Sequence, residues 1–377
     1  MKILLVGEYS RLHNSLKEGL QALGHDVTLV ATGDGFKQYP ADILLTPTHT
    51  AGFAKKWKVL FYKLFGFDMS SISVMRQFFE QKSSFTGFDV VQLINESPLD
   101  IAAKHEKEII SFLKEHNKKL FLLSCGTDYI SVKHSLDKKP RYSILSPMFD
   151  GKVSKESYAP ILKYVQPAYH ELHEFVYERI EGVIASDLDY HLPLLDHAKY
   201  VGLIPNPINI AALDYHLPDV SGVITIFHGI NRANFYKKGS DYFEAALKKL
   251  QQKYPEKTNI IRVESLPYAE YIQQYNEAHI LLDQVLAYDQ GYNALEAMAK
   301  GKVVFTGAEQ EFSDHYQLNH EVAINALPDS EAIFNELEQL ILHPERITAI
   351  SKNARKFIEQ EHDYQKIAAT YLNTWEA

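Results

Sequence analysis

The chain opens with Lys2-Ile-Leu-Leu-Val-Gly7, a short apolar run that ends in a glycine, and a second such run follows at Val27-Thr-Leu-Val-Ala31. Apolar runs of this length are typical of parallel strands that are buried on both faces. Between the two runs, leucines recur at helical spacing from Leu12 to Leu23, and Gly24 is placed to cap the helix in a left-handed conformation. This segment therefore predicts a β-α-β unit.

The same alternation of apolar runs and helical patterns continues along the chain, which predicts open parallel sheets with helices on both faces. Further strands are predicted at residues 43–45, 90–94, 120–123, 183–185, 223–227, 260–263, 280–283 and 303–305. Further helices are predicted at residues 102–116, 241–252, 268–276 and 292–300, with one or two more within residues 344–375.

Pro205 and Pro207 divide the chain into two alternating series. Each proline fixes its own φ and biases the preceding residue toward extended conformations, so this stretch is predicted to be a stiff hinge. The sequence predicts an α/β protein with two Rossmann-like β/α/β domains, residues 1–204 and 205–355, that face each other across a cleft. Residues 356–377 are predicted to form a helix that packs back toward the first domain. Ligands are expected in the cleft, beyond the carboxyl ends of the strands.

Composition limits the class of protein. Hydrophobic residues make up 46% and charged residues 23% of the 377 positions, as in ordinary soluble proteins of two or three domains. Forty-eight acidic residues against 39 basic ones give a net charge of −9, which argues against a general nucleic-acid binder. The single cysteine, Cys125, excludes an internal disulfide, and neither a signal peptide before Lys2 nor a membrane-spanning apolar run is expected. A cytoplasmic protein is therefore predicted.

The strongest candidate for chemistry is Asp289-Gln-Gly-Tyr-Asn-Ala-Leu-Glu-Ala-Met-Ala-Lys-Gly301-Lys-Val-Val-Phe305. Gly291 precedes a predicted helix, whose first amides and dipole would form an anion site suited to a diphosphate. Glu296 lies about a turn and a half into this helix, where it could accept hydrogen bonds from ribose hydroxyls. The alternative is an amphipathic helix with a surface glutamate and a glycine cap.

This segment resembles the family-4 retaining glycosyltransferases of the GT-B fold, whose pattern is Glu-Gly-Phe-Gly, three residues, Glu-Ala-Met-Ala, a spacer, Gly, a spacer and Val-Val. The positions that match are Gly291, Glu296, Ala297, Met298, Ala299, Gly301, Val303 and Val304. The family's second glutamate contacts the donor ribose, and by resemblance this role falls to Glu296. The first, which contacts the donor sugar, corresponds to Tyr288 here. Asp283 and Asp289 are nearby carboxylates that could replace it.

A second segment resembles the family's Gly-Arg … Lys-Gly-x-Asp stretch, with Gly229, Arg232, Lys238, Gly239 and Asp241. The resemblance implies that Arg232 and Lys238 hold the donor diphosphate and offset the charge of the leaving nucleoside diphosphate. Lys237 competes with Lys238, and a solvated basic turn is the alternative. The donor-binding residues implied by the resemblance are Arg232, Lys238, Tyr288, Asp289, Gly291, Tyr292 and Glu296, with the loop from Ser265 to Tyr271 expected beside the base.

Loops of the first half of the chain are expected to face the acceptor. The loop that contains Gly7, Tyr9 and Ser10 resembles the family's first loop. It lacks the Gly-x-Gly-x-x-Gly of a dinucleotide site, which argues against a dehydrogenase. Asp128 could contact an acceptor hydroxyl, although capping the next helix is its favoured role. Asn95, or Glu96 beside it, lies where many relatives carry a histidine, so Asp128 and Asn95 are the catalytic candidates.

No metal ion and no other cofactor are expected. None of the 17 histidines forms a His-x3-His or His-Glu-x2-His motif, and basic side chains with helix amides can neutralise the phosphates. His13 is expected at the surface, and His228 is expected at most to line the site.

The stretch from Phe53 to Phe67 interleaves four lysines with aromatic side chains. Such a stripe could lie on an anionic membrane surface, which would suit a lipid-linked acceptor, and the alternative is a helix that packs its aromatic side chains on the first sheet. Peripheral contact with the inner face of the membrane is therefore one expected partner interaction.

These features together predict a glycosyltransferase, which moves a sugar from a nucleotide-diphosphate-sugar donor to a saccharide or lipid-linked saccharide acceptor. Retention of configuration and a role in cell-surface glycan synthesis are implied by the resemblance, and no nucleic-acid partner is expected. Two alternatives remain open. One is a GT-B-fold sugar-nucleotide epimerase, and the other is a degenerate, non-catalytic transferase-like binding subunit, suggested by Tyr288 and by the missing histidine.

Overall fold

The computed structural model describes residues 1–33, 39–48, 68–264 and 268–377, and within residues 268–271 it describes the backbone alone. The contacts of these residues divide the chain into two units. Unit 1 comprises Met1–Lys133, Ile161–Pro207 and Tyr364–Ala377, and unit 2 comprises His134–Pro160 and Ile208–Asp363. The chain changes unit at Pro207, beside the predicted hinge. Residues 134–160 lie in unit 2 rather than in the first domain, and residues 356–363 also lie there.

Each unit is built on a parallel sheet. In the described part of unit 1, seven strands follow the order β3-β2-β1-β4-β5-β6-β7, and in that of unit 2, five follow the order β12-β11-β10-β8-β9. The strands of unit 1 are β1 (Lys2–Val6), β2 (Asp26–Ala31), β3 (Ile43–Leu44), β4 (Val90–Leu93), β5 (Lys119–Ser124), β6 (Gly182–Ala185) and β7 (Tyr200–Leu203). Those of unit 2 are β8 (Ile224–Ile230), β9 (Thr258–Glu264), β10 (Ile280–Leu282), β11 (Val303–Thr306) and β12 (Ile324–Asn325).

Helices connect the strands, and none in the described residues is long and apolar enough to cross a membrane. In the first half of the chain they are α1 (Leu12–Ala22), α2 (Met69–Glu80), α3 (Ala103–His116), α4 (Tyr129–Leu136), α5 (Ser146–Phe149), α6 (Ala159–Leu162), α7 (Pro167–Arg179) and α8 (Leu188–Leu194). In the second half they are α9 (Ser240–Lys253), α10 (Tyr268–Glu277), α11 (Tyr292–Ala299), α12 (Gln310–His315), α13 (Ser330–Leu342), α14 (Glu345–Glu361) and α15 (Tyr364–Glu376).

Helices cover both faces of the sheet in unit 1. On one face, Leu4 and Val6 of β1 join an apolar cluster with residues of α2, α3 and α7. On the other face, Ile3 and Leu5 of the same strand pack with residues of α1 and α15. Successive residues of a strand point to opposite faces of the sheet. Because both faces are buried, nearly every residue of the strand must be apolar, which explains the continuous apolar runs of the sequence.

The last helix, α15, packs closely on α1. A side chain at Gly19 would bring its Cβ within 2.2 Å of the Tyr364 carbonyl oxygen, so the contact requires a glycine. At the other end of the helix, Trp375 is fully buried, and its Nε1 donates a hydrogen bond of 3.1 Å to Oε1 of Gln92 in β4. The helix is therefore part of the core of unit 1.

Each sheet has one point where the order of its strands reverses, between β1 and β4 in unit 1 and between β8 and β10 in unit 2. The neighbouring strands are parallel, so their carboxyl ends lie at the same edge of the sheet. At such a switch point the following loops leave toward opposite faces and open a crevice where ligands bind. The loops after β8 and β10, and those after β1 and β4, are therefore the places to search for a site.

Residues 134–160 pack on the helical face of unit 2 through polar contacts. Lys152 Nζ forms an ion pair of 2.7 Å with Asp241 Oδ2 in the first turn of α9, and it lies 4.2 Å from the ring centre of Tyr242. Lys237 Nζ lies 5.2 Å from the ring centre of Tyr158. These contacts join residues that are far apart in sequence, which explains why the apolar pattern alone placed the segment in the first domain.

Candidate functional site

The loops after β8 and β10 meet at the switch point of unit 2. The Val285 amide donates a hydrogen bond of 2.9 Å to the Lys238 carbonyl oxygen. Gly239 adopts φ +71° directly against Val285, and a Cβ there would lie 2.5 Å from the valine Cβ. A side chain at this position would push the two loops apart. The Lys-Gly pair of the sequence therefore fixes Lys238 at the crevice.

Lys238 and Asp283 form an ion pair across the switch point, with 3.0 Å between Nζ and Oδ1. The Asp283 amide donates to the Phe305 carbonyl oxygen at 2.9 Å and extends the pairing of β10 with β11 by one residue, so the backbone of Asp283 is held by the sheet. Its side chain is 2% exposed, whereas that of Lys238 is 38% exposed. Lys238 therefore presents a cation to solvent from a rigid support.

Helix α11 begins beside this pair. Gly291 is its N-cap in an extended conformation, and intrahelical bonding starts with the Ala294 amide, which donates to the Gly291 carbonyl oxygen at 2.9 Å. A Cβ on Gly291 would be 3.7 Å from Asp283 Oδ2 and 3.8 Å from Gln284 Nε2, which are ordinary contact distances. The fold therefore does not require a glycine here, and the missing side chain leaves space in front of the first amides of the helix.

The buried oxygen atoms that have no hydrogen-bond partner in the described part of the chain include Asp283 Oδ2, Gln290 Oε1 and Thr306 Oγ1 at this edge. Gln290 is held in place because its Nε2 donates to the Gly307 carbonyl oxygen at 2.7 Å. Buried polar atoms almost always have a partner, so these unpaired oxygens call for a donor other than the described residues, such as a bound ligand. The site thus combines a cation and a helix N-terminus, which suit an anion, with acceptors that suit hydroxyl groups.

Arg232 lies in the turn after β8 and is held by an acidic partner. Its Nε and a terminal nitrogen donate to both carboxylate oxygens of Glu264, at 2.6 and 2.7 Å, and these hydrogen bonds lower the pKa of Glu264. The Arg232 side chain is 62% exposed. A phosphate could therefore replace Glu264 as its partner. Lys237 lies beside Tyr158 instead, so of the two competing lysines Lys238 is the one at the switch point.

Tyr288 occupies the position that corresponds to the first glutamate of the family-4 glycosyltransferases, which the sequence resembles. It is 3% exposed, and its hydroxyl oxygen accepts a hydrogen bond of 2.8 Å from the Arg141 amide. The Arg141 guanidinium lies 4.8 Å from the Tyr288 ring centre and forms ion pairs with Glu309 and Glu311, each at 2.7 Å. Tyr288 therefore anchors residues 134–160, a structural role that its sequence position did not indicate.

The other predicted donor-binding residues lie on or directly before α11. Asp289 is 5% exposed, and its Oδ1 accepts a hydrogen bond of 2.7 Å from the Gln290 amide, which shapes the turn into the helix. Tyr292 is buried and Glu296 is half-buried, and their spacing of four residues puts them on the same face of the helix. The loop predicted beside the base, Ser265 to Tyr271, lies outside the residues whose side chains are described, as does the stretch Phe53 to Phe67.

In unit 1, Gly7 allows the loops after β1 and β4 to approach each other. It adopts φ +89°, and a Cβ there would lie 2.3 Å from Ile94 Cγ2 and 2.4 Å from the Pro98 carbonyl oxygen. The next loop residues include Ser10, which also has positive φ, and Tyr9, whose ring lies against Gly126. The predicted acceptor-side residues thus lie at the switch point of this sheet, and their role in binding remains a prediction.

Asn95 and Asp128, the two catalytic candidates, organise the loops at this edge. Asn95 Nδ2 donates to the Cys125 carbonyl oxygen at 2.7 Å and to that of Thr127 at 3.1 Å. Asp128 Oδ1 accepts from the Ser131 amide at 2.7 Å and so caps the start of α4, the role that the sequence favoured. Both side chains are 1% exposed. Their catalytic roles stay predictions.

A histidine that the sequence pattern did not indicate lies beside these loops. His173, on α7, contacts Glu96 with 2.7 Å between Nδ1 and Oε1, although the two residues are 77 positions apart. Its ring stacks on that of Tyr129 at 4.5 Å, and burial raises the pKa of Glu96. No histidine directly follows β4 in the sequence, but the fold brings His173 of α7 to the same end of this strand.

Two other histidines are less exposed than the sequence suggested. The expectation that His13 lies at the surface is wrong, because the residue is fully buried and its Nδ1 contacts the Gly7 carbonyl oxygen at 2.7 Å. Burial lowers its pKa to about 4. His228 is 1% exposed and contacts Glu244 on α9 at 2.7 Å, so it supports the helix rather than lining the crevice.

Glu106 is a buried carboxyl group that holds the loop after β4. Its Oε1 accepts hydrogen bonds from Ser97 Oγ at 2.8 Å and from the amides of Leu99 and Ile101 at 3.2 Å each. Burial raises its pKa from 4.5 to about 8. Between pH 4.5 and about 8 the folded protein therefore keeps the Glu106 proton, whereas the unfolded chain releases it. Glu106 should thus make the fold less stable as pH rises through this range.

We expect Glu106→Gln to remove this pH dependence, because glutamine has the shape of the protonated carboxyl group and does not titrate. Near pH 4 the two proteins should be similarly stable, and near pH 8.5 the variant should be more stable by roughly 4–5 kcal/mol. Urea denaturation across this pH range measures the difference. Parallel stability curves for the two proteins would show that Glu106 is charged in the folded state.

A separate cavity of about 360 Å³ lies at the opposite, amino-terminal edge of the sheet in unit 2, with His216, His279, Lys300 and Lys302 among its lining residues. Burial lowers the pKa of Lys302 to about 8, and its Nζ donates to the Ala278 carbonyl oxygen at 2.7 Å. Among the described residues, no group of three or more His, Cys, Asp or Glu side chains could hold a metal ion.

Comparisons with known proteins agree with this architecture. Residues 226–373 match the family described as Glycosyl transferase-like. Sucrose-phosphate synthase from Thermosynechococcus elongatus is similar in structure, with a TM-score of 0.63 and 14% identity over 100% of this chain and 98% of that chain. HepE from Anabaena, in complex with UDP and glucose, gives a TM-score of 0.59 and 14% identity over 100% of both chains.

UDP-GlcNAc 2-epimerase from Neisseria meningitidis, bound to UDP-GlcNAc, gives a TM-score of 0.53 and 13% identity over 99% of each chain. No curated protein matches the chain by sequence. Together with the two parallel sheets, these likenesses confirm the predicted α/β GT-B fold with two Rossmann-like units.

Proposed function

We propose that the protein is a glycosyltransferase that moves a sugar from a nucleotide-diphosphate donor to a saccharide hydroxyl. The observation that carries the proposal is the group of features around Gly291: the Lys238 cation, the N-terminus of α11 and buried oxygens without partners. A nucleotide sugar is a ligand that has both parts, a diphosphate for the first two features and hydroxyl donors for the third.

In this proposal Lys238 and the first amides of α11 bind the diphosphate, and Arg232 joins them after it exchanges Glu264 for phosphate. These groups offset the negative charge that the diphosphate gains as the bond to the sugar breaks. Glu296, on the same helix, accepts hydrogen bonds from the ribose. Tyr292 and Asp289 shape the same end of the helix, and their positions support this assignment.

The finer parts of the proposal follow from the resemblance to family-4 transferases. They are retention of configuration, a role in cell-surface glycan synthesis, and an acceptor that binds near Gly7, Tyr9 and Ser10, with Asn95 and Asp128 close by. The proposal also includes a lipid-linked acceptor and a reaction that needs no metal ion. It further includes peripheral contact with the cytoplasmic face of the membrane through Phe53 to Phe67.

The experiment that tests this function uses the full chain with UDP-, GDP- and ADP-glucose, UDP-N-acetylglucosamine and GDP-mannose, each with and without a pool of oligosaccharide acceptors. We expect release of nucleoside diphosphate that depends on the acceptor, together with a new glycosylated product. Failure of every nucleotide to bind would contradict the proposal.

Sugar-nucleotide epimerisation is the second candidate, because UDP-GlcNAc 2-epimerases are among the proteins of similar structure. Incubation with the sugar nucleotide alone, followed by analysis of the sugar, distinguishes the two reactions. An epimerised sugar in the absence of an acceptor would favour the epimerase. Binding without any turnover would favour the non-catalytic transferase-like subunit, for which Tyr288 in place of a glutamate is the supporting observation.

A further inference from the structure

We propose that the cavity at the amino-terminal edge of the sheet in unit 2 is a second ligand site, which binds a small organic carboxylate through the buried Lys302. The cavity lies where β10 and β11 begin, whereas Gly291 and Lys238 lie at the opposite edge of the same sheet. The site is therefore separate from the one proposed for the donor, and the inference does not depend on the proposed function.

The walls of this cavity are fixed by backbone contacts. Residues within 212–219 line one wall, and the His216 amide donates to the Lys300 carbonyl oxygen at 3.2 Å. Gly301 adopts φ +89°, and a Cβ there would lie 2.5 Å from the His216 carbonyl oxygen, so this wall packs directly on the start of β11. The volume of about 360 Å³ is in the range of small-molecule sites.

Lys302 contributes a buried cation to the cavity. The residue is 6% exposed, and its Nζ donates to the carbonyl oxygens of Asn276 at 3.0 Å and Ala278 at 2.7 Å. The Tyr275 ring centre lies 5.3 Å from Nζ, and no carboxylate in the described part of the chain forms an ion pair with it. An ammonium group has three N–H donors, so one donor and the positive charge are left for an anion.

A second lysine strengthens the demand for an anion. Lys300 also lines the cavity, and its Nζ lies 5.2 Å from the same Tyr275 ring centre. Burial and the nearby charge of Lys300 lower the pKa of Lys302 to about 8. A bound anion favours the charged form of Lys302 and should raise this pKa again, so anion binding near pH 8 is coupled to the uptake of a proton.

The other lining residues favour a carboxylate over a phosphate. Asp214, Asp219 and Glu277 also line the cavity, and they repel a doubly charged phosphate more strongly than a singly charged carboxylate. Leu217, which is 46% exposed, and Pro218 offer apolar surface for a carbon skeleton. A small organic acid with one carboxylate group and an apolar body suits both features.

Two histidines line the cavity as well, and one of them is held by the backbone. His279 Nδ1 accepts a hydrogen bond of 2.9 Å from the Thr225 amide, and its Nε2 lies 3.0 Å from the Asp219 carbonyl oxygen. Burial lowers the pKa of His279, so this residue is neutral near pH 8. His216 is the other histidine, and His216→Asn should leave the proton uptake near pH 8 unchanged.

Benzoate is the probe for this site, and benzyl alcohol is its uncharged counterpart of similar size. In calorimetric titration of the full chain near pH 7, benzoate should bind at least about tenfold more tightly than benzyl alcohol and more tightly than inorganic phosphate. Failure of benzoate to bind, or equal binding of the alcohol, would overturn the proposal. Tighter binding of phosphate would overturn the assignment to a carboxylate.

Proton uptake connects the bound carboxylate to Lys302 without any substitution. Near pH 8 about half of the free protein carries a neutral Lys302, so benzoate binding should take up as much as about half a proton. Near pH 6 the lysine is already charged, and it should take up none. The binding heat in buffers of different ionisation enthalpy measures the uptake, and its absence near pH 8 would contradict binding at Lys302.

Lys302→Met should weaken benzoate binding at least about tenfold and abolish the proton uptake. Lys257→Met is the matched control, because Lys257 directly precedes β9 at the same edge of the sheet and its Nζ lies 6.0 Å from the Tyr254 ring centre, outside the cavity lining. It should change neither quantity. Leu217→Asp adds a negative charge to an exposed wall position and should also weaken benzoate binding, and thermal unfolding checks that each variant is folded.

Unchanged benzoate affinity in a folded Lys302→Met protein, or in Leu217→Asp, would overturn the site. Competition between benzoate and a nucleoside diphosphate would overturn it as well, because it would place benzoate at the opposite edge of the sheet. Failure of every nucleotide to bind would instead overturn the proposed function and leave this inference standing, so the two failures are distinguishable.

Discussion

Lys238→Met is expected to weaken the binding of nucleoside diphosphates by about 100-fold, while the binding of the nucleoside without phosphates stays unchanged. Lys238 is the cation that the backbone contact with Val285 holds at the switch point of unit 2. Its removal takes away a charge-assisted hydrogen bond and leaves the buried Asp283 carboxylate without its ion pair, close to the phosphates. Titration of the best-binding diphosphate and of its nucleoside measures the two affinities.

Lys253→Met is the matched control for this prediction, because Lys253 is also ion-paired, to Glu338, and lies at the far end of α9. It should leave both affinities unchanged. The double variant Lys238→Met/Asp283→Asn should recover part of the stability that Lys238→Met loses, because it no longer buries an unpaired carboxylate. Equal losses for diphosphate and nucleoside in Lys238→Met would place Lys238 away from the phosphates.

Trp375→Ala is expected to lower the free energy of unfolding of unit 1 by about 4 kcal/mol. The indole is fully buried, packs against Tyr371 with 5.3 Å between ring centres, and donates to Gln92, which is itself fully buried. Truncation creates a cavity between α15 and the sheet and leaves the Gln92 oxygen without its donor. Urea denaturation followed by circular dichroism measures the loss.

Trp375→Phe helps to separate the two causes, because it removes the N–H donor but keeps an aromatic ring and most of the side-chain volume. We expect it to cost about 1–2 kcal/mol, less than half of the loss in Trp375→Ala. A loss below about 1 kcal/mol in Trp375→Ala would mean that α15 does not stabilise unit 1, contrary to its tight contact with Gly19.

The apolar runs of the sequence predicted most of the strands, because strands buried on both faces must be apolar at nearly every position. The strand β12 was not predicted, since Ile324 and Asn325 are too few to form a pattern. The membership of residues 134–160 in unit 2 was also missed. It depends on ion pairs such as Arg141 with Glu309, which are 168 positions apart and have no local signature.

For the candidate site, the motif resemblance identified Gly291 and Lys238, which the fold brings to the switch point of unit 2. It did not indicate that Arg232 is bound by Glu264, because the partner lies on another strand. The pairing of Glu96 with His173 was missed for the same reason. Sequence patterns report what one segment can do, and partners from distant segments appear only when the sheet is assembled.

The central claim is that a diphosphate binds in front of α11 beside Gly291, and calorimetric titration of Gly291→Ala with the best-binding nucleoside diphosphate tests it most directly. The backbone at Gly291 suits alanine, and a Cβ would meet no atom closer than 3.7 Å, so the fold should be unaffected. Gly222→Ala is the control, because a Cβ there meets nothing within 4 Å. We predict that Gly291→Ala binds the diphosphate at least about tenfold more weakly than the wild type, and that Gly222→Ala binds it as tightly as the wild type. Equal affinity of both variants and the wild type would contradict the claim.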